Sequence, residues 1–327
     1  MTSESIIYGL AMLIFSLVCL SSNGVVLTVI AKNSMLHRNT SYKLILLLGI
    51  CDVLQGIAHF VTAIFTIFRL DVTDWVYWAL GTLPSPSYEA YVFVTVVLAF
   101  NRFLIFCAPV VEKRIFSPLG NKSRIFGIRT EHRLFDFKYS TTLFRKIYCT
   151  AQIWATLALL IFLLDAVTQL TGRVFGYYSI TEYKWTSNES YPWAEARAQY
   201  AFFYQIFGIL AAWIFYIVTA IYLLRFRKQL ASTSRSRANR TILLQSFVIT
   251  VYCTISNFLW HKIDRFVEPS HFTNFLLTMI YIGNNCLSAF LCVALNKYVH
   301  FISFVMTFSV LSKINLYAQL SATAGAL

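Results

Sequence analysis

Charge is scarce along most of this chain, and its absence is organised. Formal charge makes up 13% of the 327 residues, and neither Asp nor Glu occurs after Glu268. Proline is equally sparse: six residues, at 84, 86, 109, 118, 192 and 269. The seven cysteines (19, 51, 107, 149, 253, 286 and 292) lie in or beside apolar stretches. No disulfide-stapled exterior fold can be built from that placement. His-Glu-x-x-His, Gly-x-Ser-x-Gly and phosphate-cradling glycine loops are all missing, which argues against an intramembrane protease or hydrolase. No cofactor or metal is implied. A lysine for a retinal Schiff base is absent from 272–295.

What the chain has instead is seven long apolar stretches, approximately 6–31, 44–68, 90–109, 148–171, 198–224, 242–260 and 272–295. A bilayer-spanning helix takes about 20 mostly apolar residues, and only hydrogen-bonded helices or closed barrels survive in lipid. The expected fold class is therefore an all-α seven-transmembrane-helix bundle over residues 1–298, embedded in a lipid bilayer. Residues 299–327 form a tail in which 299–311 are apolar but too short to span; they suit a short amphipathic helix along the membrane face. The prolines fall in connections or at a span's last residue, so the spans should be free of proline kinks.

The net charge of +13 reads as topology and not as nucleic-acid binding. Of 27 basic residues, all but six (Arg69, Arg173, Lys184, Arg197, Lys262 and Arg265) fall on one side of the seven spans. The positive-inside rule makes that side cytoplasmic, with the N-terminus outside and the C-terminus inside. The 110–147 connection is long and basic, and its middle has no clear periodicity. The 172–197 connection is rich in Tyr and Trp. An interface belt accounts for these aromatics, and a lid over a pocket is the functional alternative. Four glycosylation sequons start at Asn39, Asn121, Asn188 and Asn239; only Asn188 lies on the expected outside.

Polar residues inside a bilayer are functional candidates, although many only join helices. Three charged residues fall inside the stretches: Asp52, Asp165 and Arg102. Asp52, Gln55, His59, Thr62 and Thr66 share one face of the second span, and Ser246, Thr250, Cys253, Asn257 and His261 one face of the sixth. With these faces inward, Asp52 would sit at mid-membrane near Asn284, Asn285 and Ser288. This group is either an intramembrane polar switch or a contact that fixes helix register. His59, Asp165, Gln169, Asn257 and His261 lie nearer the outside and are ligand-binding candidates. Arg102 closes the third span within Asn101-Arg102-Phe103; snorkelling to the interface explains its tolerance, and contact with a cytoplasmic partner is its functional reading. Gly208 and Ala212 have small-xxx-small spacing, which suits close helix packing in the bundle or in a dimer.

Two strings carry a family resemblance. Ser41-Tyr42-Lys43 through Leu48-Gly49-Ile50-Cys51-Asp52-Val53-Leu54-Gln55, and Tyr91 through Leu98-Ala99-Phe100-Asn101-Arg102-Phe103, resemble the second and third spans of nematode serpentine chemoreceptors of class T, within the rhodopsin-like G-protein-coupled receptors. The resemblance runs over roughly residues 6–298. It implies a chemosensory receptor in the plasma membrane of sensory-neuron cilia, with a small odorant or pheromone as ligand and a heterotrimeric G protein as partner. Asn101-Arg102-Phe103 then stands for the Asp-Arg-Tyr motif, Asp52 for the second-span aspartate, Trp154 for the fourth-span tryptophan and Asn23 for the first-span asparagine. The chain departs from that pattern in lacking Asn-Pro-x-x-Tyr, with Asn284-Asn285-Cys286-Leu287-Ser288 nearest. Prolines of spans five and six and the cysteine pair tying span three to the second exterior loop are also lacking. The alternatives are a ligand-gated channel or transporter of inverted topology, and a family member without function.

Glycosylation in microsomes tests the orientation. Asn188 should be the sole sequon modified; modification at Asn39, Asn121 or Asn239 with Asn188 bare would invert the topology.

Overall fold

The computed structural model describes residues 3–37, 39–70, 72–116, 151–172, 176–187, 191–225 and 234–295. The expected tail at 299–327, Asn121, Asn188 and most of the 110–147 connection lie outside these residues. The elements run α1 (Ser3–Lys32), α2 (Ser34–His37), α3 (Thr40–Phe68), α4 (Asp74–Gly81), α5 (Pro84–Cys107), α6 (Pro109–Phe116) and α7 (Ala151–Gly172). They continue with β1 (Gly176–Ser179), β2 (Lys184–Ser187), α8 (Ala194–Arg225), α9 (Ser234–Lys262), a short 3₁₀ turn at Ile263–Arg265, and α10 (His271–Leu295). Seven of the helices, α1, α3, α5, α7, α8, α9 and α10, are long and apolar enough to cross a membrane.

The third span departs from the sequence reading. It begins at Pro84, not near residue 90, so Pro84 and Pro86 lie in its first turn and Glu89 lies inside it. Proline is tolerated there because the first helical amides have no intrahelical acceptor. The hydrophobic pattern missed these six residues because PSPSYE is not apolar, although the helix buries all of it except Ser85.

Burial grades the helices. Helices α3 and α5 are central, and α5 buries Tyr91, Val94 and Leu98 in a core shared with Leu44 and Leu48 of α3, Ala158 of α7, Ile209 of α8 and Ile249 of α9. Helices α7 and α8 are peripheral and expose Leu159, Leu163, Leu164, Leu170, Phe207 and Ile214. Such a shell of apolar side chains on a chain with seven span-length helices is the surface that lipid covers. The two polar faces read from sequence turn inward: Asp52, Gln55, His59, Thr62 and Thr66 are buried, as are Ser246, Thr250, Cys253 and Asn257. Water is scarce in the bilayer core, so these groups reach acceptors only inside the bundle. The small-residue pair of α8 is used internally: a side chain at Gly208 would meet Val92 of α5 at 2.5 Å, and Ala212 packs with Ala99 of α5. This stripe is therefore covered by a neighbouring helix rather than left for a dimer partner. Asn39 caps α3, its side chain accepting from the Ser41 amide.

The Tyr- and Trp-rich connection forms a two-stranded antiparallel hairpin that caps one end of the bundle. Its register pairs Gly176 with Ser187 and Ser179 with Lys184. Tyr178 and Tyr183 are 1% exposed, whereas Trp193 is 67% exposed. The aromatics thus divide: Tyr178 and Tyr183 face into the bundle, and Trp193 faces out. Tyr178 packs with Met12 and Ala63, its hydroxyl donating to Met12 Sδ at 3.4 Å; burial pushes that phenol above its ordinary pKa, so it stays neutral. Tyr183 takes a left-handed conformation (φ 57), unfavourable for a bulky residue. Thr278 holds it by donating to its carbonyl at 2.9 Å, and Tyr8 meets its ring edge-on at 5.0 Å.

Helix α4 ends on Gly81, pressed against β1. A Cβ there would collide with the Gly176 carbonyl oxygen. This backbone contact joins the lead-in to the third span to the hairpin, and the described cysteines are all free. Gly81→Ala should separate the two backbones and cost about 1–3 kcal/mol, read as a lowered Tm of the purified protein. Gly24→Ala is the control: nothing lies within 4 Å of its new methyl, so its Tm should hold or rise slightly, as for a helix glycine replaced by alanine.

Candidate functional site

At the hairpin end, three helices are joined by one guanidinium. Arg197 stands in the first turn of α8, where the helix dipole disfavours a cation. Its Nη2 lies 2.9 Å from Glu89 Oε1 of α5 and 2.6 Å from Asp165 Oδ1 of α7. It also donates to Asp165 Oδ2 at 2.7 Å and to Ser85 Oγ at 2.8 Å. The side chains of Arg197, Glu89 and Asp165 are 14%, 0% and 3% exposed. Gln169, one turn beyond Asp165, donates its Nε2 to Asp165 Oδ2 at 2.7 Å. Neither carboxylate of this buried group survives alone in a low-dielectric interior, so Arg197 is their common counter-ion.

Beside this group lies a cavity of about 290 Å³, formed by α5, α7, β2, α8, α9 and α10 and walled by Tyr88, Gln169, Trp185, Arg197, Trp260 and Tyr281, among others. Asn257 and His261 of α9 also line it. Asn257 is fixed through its amide, which donates to the Cys253 carbonyl at 2.8 Å and at 2.5 Å to the Tyr88 hydroxyl. His261 Nε2 lies 3.1 Å from Gln205 Oε1. A second cavity of about 540 Å³ lies between α7 and α8, lined by Leu164, Asp165, Trp193, Arg197 and Tyr200. Arg197 therefore stands in the wall that both cavities share.

The five ligand-site candidates from sequence thus separate. Gln169, Asn257 and His261 line the inner cavity. Asp165 faces the second one. His59 lies behind the wall, its Nδ1 accepting from Trp185 Nε1 at 3.4 Å and its ring 5.4 Å from that of Tyr281. Glu89 and Arg197 escaped the sequence reading because each sits just outside an apolar stretch. The available signal was opposite charge at one bundle edge: Arg197 closes the aromatic connection, and Asp165 lies in the outer half of the fourth stretch.

Deeper in the bundle, Ser288 Oγ donates to Asp52 Oδ2. Asn285 meets Asn23 through its backbone, its carbonyl accepting from Asn23 Nδ2 at 2.7 Å. Asn284 Oδ1 accepts from Cys253 Sγ at 3.5 Å. Of the three residues expected around Asp52, Ser288 is thus the one with a described hydrogen bond to it. At the far end, Asn101 accepts from Ser41 Oγ at 3.0 Å, and the Phe103 ring packs 5.7 Å from that of Phe215. Arg102 does not snorkel as expected. It is fully buried, and none of its three nitrogens has a hydrogen-bond partner among the described residues. It cannot reach an interface because α5 is the central helix, enclosed by its neighbours.

No protein-family profile and no curated protein matches this chain. Among solved structures it is similar to squid rhodopsin, with a TM-score of 0.67 over 94% of this chain and 86% of that one, at 12% sequence identity. The chain has the rhodopsin fold. At that identity the likeness extends to the path of the seven helices and not to side-chain roles.

Replacing Arg197 by Met should leave two buried carboxylates unmatched and cost about 3–5 kcal/mol, read as a fall in Tm. The triple change Arg197→Met, Glu89→Gln, Asp165→Asn should recover most of that loss. A single variant as stable as the parent would remove the ion cluster from the account of stability.

Proposed function

We propose that the chain is a G-protein-coupled chemosensory receptor. A small molecule enters from the hairpin side and binds in the cavity beneath the hairpin, and the Arg102 end engages a heterotrimeric G protein. The observation that carries the reading is the arrangement of buried polar residues along the bundle on the rhodopsin fold. Tyr88 and Asn257 border the cavity, Cys253 and Asn284 follow, the Asp52–Ser288 contact lies in the bundle, and Asn101 and Arg102 stand at the other end. The four links between helices each join a different pair, so a ligand that favours one packing shifts the whole bundle by its differential affinity.

In this reading the hairpin end is outside, the basic connections are cytoplasmic, and the protein works in the plasma membrane of a sensory cell. The guanidinium of Arg102, without a hydrogen-bond partner among the described residues, supports the cytoplasmic assignment. A buried, unsatisfied cation is costly, and an outward shift of the helices around it would relieve that cost by exposing it to a partner's carbonyls or carboxylates.

Arg102→Ala should fold, reach the surface and keep ligand binding, yet lose receptor-stimulated nucleotide exchange on the G protein. Exchange at the parent level in the variant would take Arg102 out of the mechanism. An ionic current in place of exchange would favour the channel reading.

A further inference from the structure

The chemistry of the inner cavity selects the charge of what it binds. One guanidinium faces two carboxylates, so the cluster in its wall carries one excess negative charge when all three are ionised. The other nearby cations are engaged elsewhere: Lys262 Nζ lies over the Phe202 ring at 4.9 Å, and Lys184 pairs with Glu182 at 3.1 Å. His261 is held as a hydrogen-bond partner of Gln205.

Three polar atoms of side chains that line the cavity have no hydrogen-bond partner among the described residues: Gln169 Oε1, Ser256 Oγ and Arg197 Nε. Gln169, 1% exposed, commits its amide nitrogen to Asp165, a group that only accepts; its Oε1 is therefore the free atom, and it has no donor. Ser256, 6% exposed, has a hydroxyl with no partner. Behind the wall, neither oxygen of Glu89 receives an aligned hydrogen bond, its contact with Arg197 being an ion pair. Of the three lining atoms, Arg197 Nε is the one that can only donate, and a neutral oxygen satisfies it. The rest of the wall is aromatic, with Tyr88, Trp185, Trp260 and Tyr281 presenting rings whose faces attract cations.

We infer that this cavity binds a small organic cation, a protonated amine whose N–H groups reach the Gln169 carbonyl and whose charge is held by the aromatic wall and the Glu89–Asp165 excess. An anionic ligand is disfavoured, because the single guanidinium it would need is already countered twice. The volume of about 290 Å³ lies at the small end of the range for ligand pockets. This inference rests on reading the cavity as the ligand site.

The test compares three probes of one shape on the purified full chain in nanodiscs: 2-phenylethylamine, 2-phenylethanol and phenylacetate. Binding is read by calorimetry and by the shift in Tm. The amine should bind at least about tenfold more tightly than the alcohol, and phenylacetate should be weakest. Glu89→Gln should weaken the amine about tenfold or more and leave the alcohol unchanged; Asp165→Asn serves if that variant does not fold. Binding of phenylacetate as tightly as the amine overturns the inference, as does an amine affinity indifferent to both substitutions or no amine binding at all. Ala201→Trp, which fills the cavity, separates the two readings. If it abolishes binding of the alcohol or the acid, the ligand site stands and only the charge preference falls. If binding of every probe that binds survives it, the cavity is not the site.

Discussion

A buried charge is far less costly beside its opposite than alone, and Arg197 shows what that does to a bundle of helices in lipid. Its single side chain draws α5, α7 and α8 together at the hairpin end. Apolar packing alone specifies this poorly, since lipid tails are as apolar as the leucines of α7 and give helices little reason to prefer one neighbour. An ion pair has a definite geometry. The position of α8 against α5 also follows from the tight approach at Gly208, so charge at one end and shape in the middle fix the same interface.

The same constraint explains the cavity. Side chains satisfying one another across helices hold the helices at a set distance, and the gap left between them is walled by aromatic rings too large to collapse. The hairpin then covers it. In the described part of the chain this cover is held by non-covalent contacts alone: the Gly81–Gly176 backbone contact, the Tyr183 carbonyl on Thr278, and the Trp185 indole on His59. Each uses a different helix, so the hairpin is located by several weak contacts in place of one covalent bond.

Much of the fold was legible in the residues. Seven stretches of the right length, inward polar faces on the second and sixth, and the one-turn spacing of Asp165 and Gln169 all follow from helical periodicity. The site was legible in part. Gln169, Asn257 and His261 line the cavity, but Glu89 and Arg197 lay beyond the edges of apolar stretches, where hydropathy cannot tell a helix end from a connection. Pro84 and Pro86 made the error easier, because proline reads as a connection yet suits a first turn. Arg102 was misjudged because snorkelling depends on how deeply a helix is enclosed, which no single span reveals.

The sequence by itself determined the class of the protein. Bilayer thickness and the cost of an unsatisfied backbone convert apolar length directly into spanning helices, with no reference to neighbours. Tertiary structure alone decided which charges meet, which way the aromatics of the 176–187 hairpin face, and whether Gly208 and Ala212 serve this bundle or another copy. Those outcomes depend on contacts between residues far apart in the chain. Asp165 and Arg197 are 32 positions apart, and Ser288 and Asp52 are 236 apart. Such contacts are set by how seven helices rotate and tilt against one another.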